Sequence, residues 1–218
     1  TPSEKVKMAL YANREQVPQE LQSFSLMASG TVRVEDEKLG TVLRAPSYIE
    51  KTIAFNPETG GVDFKNAKGH VEFSAKRPFT VVLENADKTL LVRNASAKNI
   101  FAADLSDKEL KGNLIVIPTP TGIKLVNEVN AEDLIPALLA TQVQDVTHES
   151  ALQALAVVFR SALLQAVADH QDEPYHITDN DVSFQFKGIN LIFKKLLDAS
   201  KESSKIRLTE AQAGAYAD

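Results

Sequence analysis

His148 followed by Glu149 opens like a zinc-protease helix, in which a second His four residues further on completes the ligand pair. Leu152 holds that position, so the pair cannot bind a metal in this way. At a helix start, the same residues read as first-turn chemistry, with Glu149 complementing the helix dipole. Asp179, Asp181 and Ser183 begin like a calcium loop, but Phe184 stands where the sharp turn needs glycine. The chain carries no glycine-rich phosphate loop, no strand-borne nucleotide fingerprint and no G-x-S-x-G elbow. It has no cysteine, which excludes disulfides and thiolate metal sites. No metal and no cofactor are expected. Asn94-Ala95-Ser96 fits a glycosylation sequon, which matters only in a eukaryotic secretory setting.

Two kinds of element must position whatever chemistry remains. From Val6 to about Val129 the chain reads as short extended segments separated by turn residues: Val6–Tyr11, Gly30–Val34, Tyr48–Phe55, Val71–Ser74, Phe79–Leu83 and Leu90–Arg93. A hairpin is expected over Asn113–Val126, turning at Pro120 to Gly122, with Pro118 and Pro120 near the turn or on an edge because neither donates a ladder bond. The roughly ten-residue spacing predicts a curled sheet or small barrel.

The period then changes. Asn130 can cap a helix carrying Leu134, Ile135, Leu138 and Leu139 on one face, which Pro136 should leave short, bent or late-starting. Thr147 is the expected N-cap of a longer central helix running to His170, whose broad apolar set includes Leu152, Phe159, Leu163 and Val167. A strand over Val182–Lys187, an amphipathic helix on Ile189, Ile192, Phe193, Leu196 and Leu197, and a loosely held tail after Ser200 complete the expectation. The fold class is therefore α+β: a β-rich module over residues 1–129, then a helical region over 130–218.

Composition bounds the partners. With 29 acidic against 24 basic residues the net charge is −5, and Lys and Arg are scattered, so nucleic acid and anionic membrane are disfavoured. No run approaches the roughly 20 apolar residues of a membrane span. The Thr-Pro-Ser start is that of a processed or trimmed N-terminus, compatible with a removed export signal.

One stretch carries a family pattern. Val126-Asn127, Leu134-Ile135, Ala151-Leu152, Ala154, Ala156-Val157 and Arg160 fall without gaps on an opening VN pair, a tyrosine-leucine pair and a run close to EALKAQAVAAR. A second ungapped piece, Tyr175 to Gly188, is similar to a YDLCDTTHCQVYRG-type segment. Both resemble the stage II sporulation protein D (SpoIID) family of bacterial cell-wall lytic transglycosylases. The resemblance implies denuded peptidoglycan glycan strands as the partner, with other cell-envelope proteins as further candidates, and an extracytoplasmic location in the envelope.

The departures are as informative. Gln142 holds the place of the family's catalytic Glu, and the family's Trp-Pro is missing, with Thr147-His148 near it. Gln153 and Leu155 replace a Lys and a Gln, and Thr178 and Ser183 replace cysteines. The family's serine- and glycine-rich segment would begin near Ala215-Tyr216, so part of the cleft is expected either to be lacking or to lie outside this chain. Lytic cleavage needs a proton delivered to the leaving oxygen and another removed from the sugar hydroxyl, and an amide does neither.

The expected site is Gln142 and Arg160 at the catalytic position, with His148, Glu149, Tyr175, His176 and Phe186 as substrate contacts. Gln142 should end the first helix and face a groove between the second helix and the Tyr175–Gly188 segment. A degenerate member with lost or weak lytic activity is the leading expectation. An enzyme with a relocated acid, beginning with Glu149 or Asp145, is a competing one. The alternative is a β-rich envelope binding or interaction protein with no glycan chemistry.

Overall fold

The computed structural model describes residues 4–101, 103–143, 148–181, 183–189 and 194–208. Twelve strands come first: β1 (Lys5–Ala9), β2 (Leu21–Ala28), β3 (Val32–Asp36), β4 (Gly40–Ala45), β5 (Lys51–Asn56), β6 (Gly61–Lys65), β7 (Val71–Ala75), β8 (Phe79–Leu83), β9 (Leu90–Ala97), β10 (Lys108–Leu110), β11 (Asn113–Thr119) and β12 (Gly122–Asn130). Then follow α1 (Ala131–Gln142), α2 (Glu149–Asp169), the two-residue β13 (Ile177–Thr178) and α3 (Lys194–Glu202).

The strands form one sheet with a branch point at β2 and β12. One arm runs β4-β3-β8-β11-β12 and continues through β1 to β13; the other runs β10-β9-β2-β5-β6-β7. They join where Ile123 of β12 pairs Leu21 of β2. The edge strands β4 and β7 approach one another without pairing, so the sheet is nearly closed into a barrel, as the strand spacing predicts. Alternation puts one face inward: in β8, Phe79, Val81 and Leu83 are buried while Thr80 and Val82 are half-covered. Phe73 meets Phe79 edge to face, with ring centroids 5.4 Å apart.

The β11–β12 hairpin turns at Pro120-Thr121, with Thr119 paired to Gly122. Pro118 lies beyond Val116, the last β11 residue paired to β8, so its missing N–H is not required there. At the other end of β11, Gly112 has φ +79°, and a Cβ there would stand 2.2 Å from the Glu128 carbonyl oxygen. Only glycine lets the chain turn so close to β12.

Several expectations change. β2, β4 and β6 carry too much Ser, Gly, Lys or Arg to stand out by alternation, yet β2 is the strand that joins the two arms. α1 begins directly after Asn130 and runs 12 residues with Pro136 inside it, so it is neither short nor late-starting. Proline removes one N–H, that facing the Glu132 carbonyl, while Leu134, Ile135, Leu138 and Leu139 of the same helix are fully buried. The N-cap of α2 is His148, whose carbonyl accepts from Ala151 and Leu152; Thr147 lies outside the described residues.

No strand forms over residues 183–187, and Val182 lies outside the described residues. The segment folds back instead: Phe186 N donates to the Asp179 carbonyl at 2.9 Å and Asn180 bridges Gln185. α3 starts at Lys194; Ile192 and Phe193 lie outside the described residues, and Ile189 packs on the core from the preceding loop. The apolar, 21-residue α2 is, by length and composition, capable of crossing a membrane, which the sequence reading did not anticipate. Its Leu152, Ala156, Phe159 and Leu163 pack into the same core as α1 and α3.

Candidate functional site

Gln142 is the last residue of α1 and is exposed. The residue before it, Thr141, donates its hydroxyl to the Gln185 carbonyl at 2.8 Å, which docks this end of α1 on the Tyr175–Gly188 segment. Gln142, the residue expected at the acid position, therefore sits next to the junction of α1 with the Tyr175–Gly188 segment and bears a neutral amide.

Arg160 lies elsewhere. Its side chain is 1% exposed, and its guanidinium makes a two-point ion pair with Glu132 at the start of α1, Nε to Oε1 at 2.6 Å and Nη2 to Oε2 at 3.0 Å. Its remaining donors reach the carbonyls of Ser203 (2.7 Å), Ser200 (3.0 Å) and Ile206 (3.3 Å). It thus gathers carbonyls at and just past the end of α3 while holding α1 to α2. Glu132 and Gln142 are ten positions apart on α1, roughly 15 Å at about 1.5 Å per residue, so the guanidinium and the amide occupy opposite ends of that helix. For residues 201–208 this clamp corrects the expected loose tail, because the chain is held through Leu208, whose N–H donates to Ser161 Oγ at 2.8 Å; the rest of the tail lies outside the described residues.

His148 and Glu149 are exposed at the start of α2. Glu149 faces Glu202 at the end of α3, and Gln153 Nε2 bridges them, 2.6 Å from Glu202 Oε2 and 3.4 Å from Glu149 Oε1. The hydrogen bond with Glu149, then its charge, holds the Glu202 carboxyl above its ordinary range. A pocket of about 280 Å³ opens here, lined by Glu149, Leu152, Lys195, Asp198 and Glu202. Glu202 was not legible as a partner, since 53 residues separate it from Glu149 and no pattern links them. Asp145 lies outside the described residues.

Tyr175 and His176 are half-buried where the chain returns along β1. His176 N donates to the Lys7 carbonyl at 2.8 Å and its Nδ1 accepts from Lys7 N at 3.0 Å, which uses the imidazole to extend the sheet. Burial, then the Lys7 charge, lowers its pKa. Phe184 and Phe186 are buried, and Phe184 packs against Phe159 of α2 at 6.1 Å. The Phe186 ring is core, with its backbone tied to Asp179, not an exposed platform for a sugar.

Asp179 organises this return. Its two oxygens accept from Tyr11 N (2.7 Å) and Ala12 N (2.9 Å), and Lys108 Nζ stands 3.9 Å away, over the Tyr11 ring. Burial pushes the Asp179 carboxyl up, against the pull of Lys108 and the two backbone donors. With both oxygens committed to backbone N–H groups, Asp179 is a structural anchor and not the first ligand of a calcium loop. Among the described residues no group of three or more His, Asp or Glu could hold a metal ion.

One comparison covers these segments. Residues 119–215, a little under half of the chain, match the model of the family described as stage II sporulation protein, SpoIID, so the part that holds β12, the three helices and the return along β1 is similar to that family. The matched family is, by its description, one of sporulation proteins. Neither curated proteins nor solved structures give a match.

Proposed function

We propose that this protein binds denuded peptidoglycan glycan strands in the cell envelope and has weak or no lytic transglycosylase activity. The observation that supports this reading is Gln142: the residue that the resemblance sets at the family's acid position is exposed at the end of α1, next to Thr141, which docks on the Tyr175–Gly188 segment, and it bears an amide. Such a group can hydrogen-bond a sugar but neither donates nor takes the proton that bond cleavage requires. Arg160 enters the reading as a positioning residue, since its donors are spent on Glu132 and the end of α3.

A second reading has its own observation. Glu149 and Glu202 form a carboxylate pair in which one member holds its proton more tightly, the condition a general acid needs. In that reading the acid has moved from the end of α1 to the α2–α3 pocket.

Incubating the native chain and Gln142→Glu with denuded strands, and reading 1,6-anhydro-muramyl ends by mass spectrometry, separates the two. The expected result is no product from the native chain and product from Gln142→Glu. Product from the native chain that disappears in Glu202→Gln overturns the loss of activity in favour of the relocated acid. Binding is checked by thermal stability, which strands that bind only the native state must raise. No rise points to the alternative of an envelope protein without glycan chemistry.

A further inference from the structure

A second cavity, of about 210 Å³, lies where the β1–β2 loop, the β9–β10 connection, β10 and the 179–187 segment meet, lined by Ala12, Asp104, Lys108, Asp179, Asn180, Gln185, Phe186 and Lys187. Three of these, Ala12, Asp104 and Lys108, fall outside the residues matched to the family. The charges balance, two ammonium groups against two carboxylates, so the site suits a ligand without net charge. At about 30 Å³ per water, the space equals about seven water molecules, near the bulk of one sugar ring.

The site is tied together by hydrogen bonds and has donors to spare. Lys108 is 3% exposed, and its ionic partner among the described residues, Asp179, is 3.9 Å from Nζ, too far for a direct hydrogen bond. The ammonium thus keeps donors for a third group. The loop above is held in a costly backbone shape: Tyr11 and Gln16, neither a glycine, have φ 57° and 66°. Asp179 pins Tyr11 and Ala12, and Gln16 Nε2 donates to the Asn180 carbonyl at 2.7 Å. A hydroxyl can accept from Lys108 and donate to Asp104 at once, whereas an anion would meet both carboxylates. Asn180 and Gln185 add amide donors and acceptors beside Phe186 and Ala12.

We infer that this cavity is a saccharide subsite that seats one uncharged sugar unit, with Lys108 and Asp104 as its hydroxyl partners. It deepens the glycan-binding reading and rests on it. The test follows backbone amide NMR shifts of the full chain during titration with N-acetylglucosamine and, separately, with sodium acetate at constant ionic strength. The sugar is expected to move the amides of Ala12, Asn180, Gln185 and Lys187 saturably, and acetate is not. Lys108→Met should abolish saturation. Because that change strips a buried carboxylate of its ionic partner, Lys187→Gln and Asn180→Ala, at less buried positions, carry the test should it fail to fold; each should weaken the sugar at least fivefold. If denuded strands raise the melting temperature but the sugar leaves these amides unmoved, the subsite falls and glycan binding stands. If neither binds, both fall. If acetate moves these amides and the sugar does not, the cavity is an anion site and the inference is overturned.

Discussion

Arg160 shows how a residue within a family pattern can serve architecture. One side chain joins the start of α1, the middle of α2 and the end of α3 through an ion pair and three carbonyls. Removing one partner of such a buried pair costs about 3–5 kcal/mol, and Glu132, 35% exposed, recovers part of its hydration. Arg160→Met is therefore expected to lower stability by about 3 kcal/mol in urea unfolding, near the bottom of that range. A loss below about 1 kcal/mol, the value of an ordinary hydrogen bond, would refute the clamp. Asn127, the second residue of the matched VN pair, has a parallel role: buried in β12, its amide donates to the carbonyls of Lys111 (2.8 Å) and Asn113 (2.9 Å) and braces the turn at Gly112.

At the scale of elements, charge placement sets pH dependence. Asp36 ends β3, where its carboxylate accepts from Lys38 N and Leu39 N in the hairpin and from Arg77, between β7 and β8, at two points of 2.7 Å. The Arg77 hydrogen bonds, then the backbone donors, hold it down to about 2 against the cost of burial. An unfolded Asp titrates near about 3.9, so this contribution is full above about pH 4 and is lost as pH falls toward about 2. Asp36→Asn is expected to flatten the acid limb of the melting temperature across that window. An unchanged limb would place the acid sensitivity elsewhere.

The α2–α3 junction has the opposite sign. Glu202, raised by Glu149, contributes stability that is full below its unfolded pKa and is lost as pH rises through the folded value. Glu149→Gln should return the Glu202 carboxyl toward the ordinary range, read by ¹³C titration of that carboxyl. If Glu202 titrates unchanged in the variant, the two carboxylates are not coupled.

For the whole molecule, the boundary expected at residue 129 falls where β12 passes into α1, but contacts cross it. β13 pairs in parallel with β1, Asp179 anchors the β1–β2 loop, and Ala131 N donates to the Glu4 carbonyl at 2.8 Å. The buried apolar residues of barrel and helices form one cluster. Unfolding is therefore expected to be a single transition, with amides of β1 and α2 exchanging at the same opening free energy. Helices that open well before β1 would show two independent units.

What the residues determined by themselves is local and periodic. Alternation marked β8 at its observed ends, and the β11–β12 hairpin followed from β-branched runs around Pro120–Gly122. The change of period placed α1 and α2, and the ungapped pattern located the SpoIID-like segment. The candidate site was half legible: Gln142 stood out by the position that the resemblance gives it, whereas the partners of Glu149 and Asp179 did not. Glu202, Lys108 and the strained loop at Tyr11 come from distant parts of the chain, and no periodicity connects them. β2 escaped notice because a strand that joins two arms needs pairing on both edges more than a clean apolar stripe. Tertiary structure alone decided that Arg160 is spent within the fold and that Glu149 has a carboxylate neighbour, because burial and proximity are properties of the folded chain rather than of residue spacing.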